Sequence, residues 1–262
     1  TAITRWQNAG WFNHAQARAI RRCVCPGDLE HETVRKCAGT ALLHGPPGTG
    51  KTTTLVGAIS AMLLCKPTPR ILVCAPSNAA VDELVFRLAR QRMKSLEDDG
   101  VDRGMKPGEL LRVGPSDQTN AHKFALDNLV DAHVLNLTRD GSIPRKFEEH
   151  LERKRLLENA RVVATTTSAA GAEYLKDYKF DVVVIDEAAQ SSEAATLIPL
   201  ALRASDVKRM IFAGDHRQLS AVAHACDVDM KLAYGISPFE RLLLEGHPKS
   251  TLNVQHRMNS EI

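Results

Sequence analysis

Thr40-Ala-Leu-Leu-His44 runs directly into Gly45-Pro-Pro-Gly-Thr-Gly-Lys51-Thr52, and the chain then continues as TTLVGAISAML through Leu63. The central octet satisfies G-x-x-x-x-G-K-[ST], with a strand-like apolar run before it and a helix-like run behind it. Glycine at 45, 48 and 50 lets the backbone curl until its N–H groups converge on phosphate oxygens, and the following helix adds its positive end. The phosphate-binding residues are therefore Gly45, Pro46, Pro47, Gly48, Thr49, Gly50, Lys51, Thr52 and Thr53. Lys51 is expected to reach the β- and γ-phosphates, and the Thr52 hydroxyl to bind Mg²⁺.

Outward from this loop, apolar runs alternate with helix-like segments: RILVCA ending at Ala75, LLRV ending at Val113, RVVATT from Arg161, DVVVI ending at Ile185 and RMIFA ending at Ala213. The runs are apolar throughout, as in strands covered on both faces, so the pattern predicts an α/β fold with a parallel sheet and helices on both faces. Ligands then gather at the carboxyl ends of the strands. DVVVIDEAAQ sets Asp186 at one such strand end, where its carboxylate can hold Mg²⁺, and Glu187 beside it is the general-base candidate.

Composition bounds the remaining choices. Of 262 residues, 44% are hydrophobic and 25% charged, which excludes a disordered or fibrous chain. Thirty-four Lys and Arg against 31 Asp and Glu leave a net charge of +3, so any polyanion-binding surface is local rather than a bulk property. No apolar run approaches the roughly 18 residues of a membrane span, and the N-terminus lacks a signal-peptide core, so an intracellular protein without membrane contact is expected. Starting at Thr1 and stopping after Ile262, the chain reads as a fragment.

Six cysteines in such a chain read as reduced thiols. Cys65 and Cys74 lie in apolar stretches and are expected in the core. Cys23, Cys25 and Cys37 with His31 could supply four zinc ligands, but the C-x-C spacing matches no common structural site, and solvated loop thiols are the preferred reading. The stretch from Arg87 to Gly108 reads as a helix end and loop without chemistry. RKFEEHLERKRLLEN, Arg145 to Asn159, reads as a surface helix with Phe147, Leu151 and Leu157 on one face.

Spacing discriminates among phosphate-loop proteins. Asp186 lies 135 residues after Lys51, too far for a compact AAA-type core, and no N/T-K-x-D guanine-reading motif occurs. In order the chain shows FNHAQ (Phe12 to Gln16), the phosphate loop, APSNAAVDEL (Ala75 to Leu84), RVGPSD, LDNLV, VVATTTSAAG (Val162 to Gly171), IDEAAQ, AGDHRQL and QHRM. This series resembles superfamily 1 helicases, specifically the senataxin and up-frameshift group, and RVGPSD with LDNLV leans toward the senataxin branch.

The resemblance implies a RecA-like P-loop NTPase: the first motor domain, spanning 1–262, with a Q-motif segment at 1–39 and a helical insertion within about 85–160. A second RecA-like domain would follow QHRM. It implies ATP with Mg²⁺, an adenine-reading amide at Gln16, a γ-phosphate sensor at Gln218 and a catalytic arginine at Arg257. Pro76, Ser77, Asn78, Thr165, Thr166 and Thr167 are implied to contact single-stranded RNA or DNA, through short groups suited to phosphates. A monomer, located in the nucleus, is the corresponding expectation. Two positions depart from the family pattern. His256 replaces the tyrosine of QYRMHP, which leaves a weaker stacking ring, and Gly214-Asp215-His216-Arg217-Gln218-Leu219-Ser220 lacks the prolines of GDPxQLPP.

Overall fold

In the computed structural model, residues 2–25, 39–65, 67–90, 104–115, 121–137, 145–201, 207–219, 221 and 235–256 are described. Seven parallel strands form one sheet: β1 (Thr40–His44), β2 (Ile71–Ala75), β3 (Leu110–Arg112), β4 (Val162–Thr166), β5 (Val182–Ile185), β6 (Arg209–Gly214) and β7 (Lys249–Thr251), in the order β3-β4-β2-β5-β6-β1-β7. The six anticipated strands are all present. β7 was not anticipated, because Lys249-Ser250-Thr251 carries no apolar residue and pairs with β1 only at the sheet edge.

Strand residues alternate between two cores. Ile71, Val73, Val182, Val184, Ile211 and Ala213 face one side. Leu72, Cys74, Val183, Ile185 and Phe212 face the other. The first side is covered by α1 (Ala2–Asn8), α2 (His14–Val24), α3 (Lys51–Leu63) and α4 (Asn78–Arg90). Across the sheet lie α5 (Leu126–Leu137), α6 (Arg145–Asn159), α7 (Glu193–Ala201) and α8 (Pro238–Leu244). Ser237 caps α8 by accepting from Glu240 N, Pro238 opens its first turn, and Phe239 is fully buried against the His44 ring. Truncating such a phenylalanine costs about 3–5 kcal/mol.

Several expectations need correction. Phe147 and Leu151 are 55% and 44% exposed; α6 instead buries Glu152, Leu156 and Leu157, because its inner face is set by packing on α5 and Glu152 finds partners in Arg155 and His133. Cys74 is buried, but Cys65 lies beyond the end of α3 and is exposed. Cys23 is no loop thiol: it is buried in α2, and burial pushes its thiol up to about 12. His31 and Cys37 lie outside the described residues. Among the described residues, no helix is long and apolar enough to cross a membrane.

Candidate nucleotide site and strand-binding face

At the carboxyl ends of β1, β5 and β6 a cleft of about 260 Å³ is lined by Gly48, Lys51, Thr52, Thr53, Arg87, Glu187, Gln218 and His256, among others. Gly50 begins α3 at φ 82°, a left-handed conformation that suits glycine, and a Cβ there would sit 2.6 Å from Gln16 Nε2. Lys51 is buried and its Nζ donates to the Gly45 carbonyl at 2.9 Å, so the ammonium is held across its own loop. The Thr49 hydroxyl closes the loop by donating to the Pro46 carbonyl at 2.8 Å.

Asp186 follows β5 and accepts from the Thr52 hydroxyl at 3.2 Å. The pair is a hard oxygen donor set, of the chemistry that divalent Mg²⁺ prefers. Burial pushes the Asp186 carboxyl up to about 6, reinforced by the neighbouring Glu187 charge and opposed by the Glu187 N–H, the Thr52 hydroxyl and Lys51. Among the described residues Glu187 is the only non-glycine at positive φ, 50°. Residues held this way cost about 1–3 kcal/mol and concentrate at functional sites.

Gln218 Nε2 donates to Asp215 Oδ2 at 3.0 Å, and Asp215 Oδ1 accepts from Arg217 N at 3.1 Å. Burial works to raise the Asp215 carboxyl, yet the Gln218 amide, the Arg217 N–H, His44 and Lys51 hold it below its ordinary value. Beneath it, His44 Nε2 lies 3.4 Å from Asp215 Oδ1, and burial holds the His44 imidazole below its ordinary value against the pull of Asp215. Atoms of His44, Asp215 and His216 lie within 4.8 Å of one another. Both Asp215 oxygens are already accepting, and the two imidazoles tilt against each other with centroids 5.0 Å apart, so the cluster props Gln218 from below.

Two sequence expectations for this cleft change. Gln16 is buried in a capping box: its Oε1 accepts from Asn13 N at 3.0 Å, its own N–H donates to Asn13 Oδ1 at 2.9 Å, and its Nε2 donates to the Thr49 carbonyl at 3.3 Å. Both ends of its amide are thus engaged, the oxygen by the helix cap Asn13 and the nitrogen by the phosphate loop, and pairing with adenine would require exchanging those bonds. Arg87, assigned no chemistry from sequence, reaches the cleft and donates to Thr53 Oγ1 at 3.1 Å while pairing with Glu83 at 2.6 Å. A basic residue one turn above a polar helix end gives no sequence signal of this. His256 N donates to the Gly48 carbonyl at 2.9 Å, which sets its exposed ring over the loop, 3.3 Å from Asn13 Nδ2. Arg257 lies outside the described residues.

The second face lies at the ends of β2 and β4. Pro76 turns the chain out of β2, exposed Ser77 precedes α4 and accepts from Ala80 N at 3.2 Å, and Asn78 is half-buried. Of the three threonines, Thr165 is fully buried and donates to the Val113 carbonyl at 3.0 Å, and Thr167 is 3% exposed, so neither can touch a bound strand. Strand alternation explains this, since Thr165 points into the sheet's covered face. Thr166 is half-buried, and its hydroxyl accepts from Ala169 N at 3.2 Å.

Residues 11–152 and 138–225 match AAA_11, an AAA domain family. Similar curated proteins include the probable helicase MAGATAMA 3 of Arabidopsis thaliana, 37% identical over 74% of this chain and 23% of that protein. The ATP-dependent helicase upf1 of Schizosaccharomyces pombe is 32% identical over 84% of this chain and 24% of that protein. From the same yeast, the DNA polymerase alpha-associated DNA helicase A is 33% identical over 96% of this chain and 38% of that protein. The chain thus spans about a quarter to two fifths of the length of these relatives.

Proposed function

From a chain that belongs to the AAA_11 family, as a RecA-like motor domain of the up-frameshift type of superfamily 1 helicase, we propose the ATP-hydrolysing half of an engine that moves along single-stranded RNA or DNA. The relatives define the group and not a branch within it. The observation that carries the reading is the convergence of Lys51, Thr52, Asp186, Glu187 and Gln218, from the ends of three neighbouring strands, on one cleft.

ATP·Mg²⁺ is the substrate this donor set fits. The loop N–H groups and Lys51 bind the β- and γ-phosphates, and Lys51 exchanges the Gly45 carbonyl for phosphate oxygen. Thr52 and Asp186 hold the cation, which when bound supplies charge neutralisation on the phosphates. Glu187 accepts the proton of the attacking water. Gln218, propped by Asp215, senses the γ-phosphate at the end of β6. Ser77 and Asn78 hold the phosphates of a strand without reading its bases. Arg257 and a second RecA-like domain complete the site in the longer protein, where closure on ATP grips the strand and hydrolysis releases it.

The test is steady-state ATPase of the 262-residue chain and of the longer protein with its second domain, each with and without single-stranded RNA. We expect slow, RNA-independent turnover from the short chain and strong stimulation of the longer one. Lys51→Ala should lower the longer protein's turnover by about 10²- to 10³-fold, the cost of removing one preorganised donor from developing charge. Strong RNA stimulation of the short chain would overturn the two-domain closure.

A further inference from the structure

Arg112 opens the R-V-G-P run that follows Leu111, and among the described residues it is one of the largest side chains to be wholly buried. Its Nε donates to Asp82 Oδ1 at 2.8 Å, with both side chains sealed from solvent. Its Nη1 donates to the Val113 carbonyl, and its Nη2 donates to the Pro115 carbonyl at 2.5 Å and to Asn78 Oδ1 at 2.9 Å. Gly114, at φ 96°, lets the backbone fold round the guanidinium so that carbonyls on both sides of it point inward. A Cβ there would lie 3.4 Å from Arg112 Nη1.

A guanidinium has five N–H donors and no acceptor. The amide of Asn78 can therefore meet Arg112 only through its oxygen, which leaves its NH₂ donors out of that contact. Ser77 is set in the same sense: its oxygen accepts from Ala80 N, leaving the hydroxyl proton to be given outward. Asp82 neutralises Arg112 inside the protein, so the arginine does not attract a strand by its own charge.

We propose that Arg112 is a positioning residue for strand binding, which locks Asn78 into presenting N–H donors to a backbone phosphate. This rests on reading Ser77 and Asn78 as strand contacts, and it adds the polarity of that contact and the residue that imposes it. It also gives the R-V-G-P run a purpose. Arginine supplies the fork, valine and proline the flanking carbonyls, and glycine the turn between them. Lysine keeps the charge but cannot serve a carboxylate, an amide and two carbonyls from one planar group.

The test uses a fluorescein-labelled single-stranded oligouridylate and fluorescence anisotropy on the full chain. Asn78→Asp keeps the shape and still accepts from Arg112, so folding is preserved, but it offers a phosphate an anion in place of a donor. Affinity should fall in the order wild type, Asn78→Ala, Asn78→Asp, with the aspartate weaker than wild type by about tenfold or more, as for loss of a charge-assisted bond. Arg112→Lys should weaken binding in the wild-type background and not further in Asn78→Ala. Equal affinities for Asn78→Ala and Asn78→Asp, both below wild type, would overturn the imposed polarity while leaving the strand contact standing. Unchanged affinity for both variants and for Ser77→Ala would instead overturn the strand contact. Equal losses from Arg112→Lys in both backgrounds would reduce Arg112 to a packing role. Should Arg112→Lys fail to fold, the alanine-to-aspartate comparison still decides the imposed polarity of the contact.

Discussion

Two charged clusters occupy strand ends of the same sheet, and they are built on opposite principles. Around Asn78, the cation Arg112 is matched to Asp82 and to three further oxygens, with no charge left over. Around Lys51, the groups are mismatched. The ammonium is held by a neutral carbonyl, Asp186 is buried beside another carboxylate, and Glu187 is strained into a left-handed conformation. A fully matched cluster rigidifies what it touches. A mismatched one keeps its binding capacity for a ligand that brings phosphates and a cation. Under the proposed function, strand positioning and hydrolysis fall to different halves of the sheet.

The sharpest way to break this contrast is to exchange the consequences. Glu187→Gln keeps size and removes the base, so kcat should fall by about 10²- to 10⁴-fold while nucleotide affinity and thermal stability hold. Rapid turnover in a kcat measurement would remove Glu187 from its assigned role. Asp82→Ala should do the reverse: leaving Arg112 buried without its carboxylate should cost about 3–5 kcal/mol in urea unfolding, the scale for breaking a buried pair. A near-neutral result would show that the matched cluster is not sealed.

Asp186 sharpens the comparison through pH. Its carboxyl is raised by burial from an ordinary 3.8 to about 6, so between those values the folded chain binds a proton that the unfolded chain does not. Its contribution to stability is therefore full below 3.8 and is lost as pH rises through about 6. Divalent-cation affinity moves oppositely, falling as pH drops below about 6, because the cation needs the ionised form. Asp186→Asn should flatten the stability profile relative to wild type. Parallel stability profiles for the two proteins would show that Asp186 titrates normally. The smallest effect is expected at His256, where loss of a stacking ring should weaken nucleotide affinity about threefold in His256→Ala. Identical affinities would leave His256 only its backbone bond to Gly48.

Much of this was legible in the chain, and the gaps have physical causes. The six anticipated strands, the edge strand β3 included, announce themselves because a sheet covered on both faces needs unbroken apolar runs, as in Val182 to Ile185. The phosphate loop is equally plain, since its glycines and its lysine are local requirements. What stayed hidden depends on partners distant in sequence. Arg112 in LLRV gives no sign that Asp82 and Asn78 wait beside it, 30 and 34 residues away. Arg87 looks like an ordinary helix end until α4 packs beside the loop. Thr165, Thr166 and Thr167 read as one polar run, yet period-two alternation divides them between the interior and the rim.

The edge strand β7 has a mechanical consequence. It runs parallel to β1 over three residue pairs, Leu252 N then donates to the His44 carbonyl at 2.8 Å, and His256 N donates to the Gly48 carbonyl at 2.9 Å. Tension applied beyond His256 along the strand axis loads this short ladder in shear, with all its bonds sharing the force. Its last link is anchored on the phosphate loop itself, so such a pull reaches the loop directly.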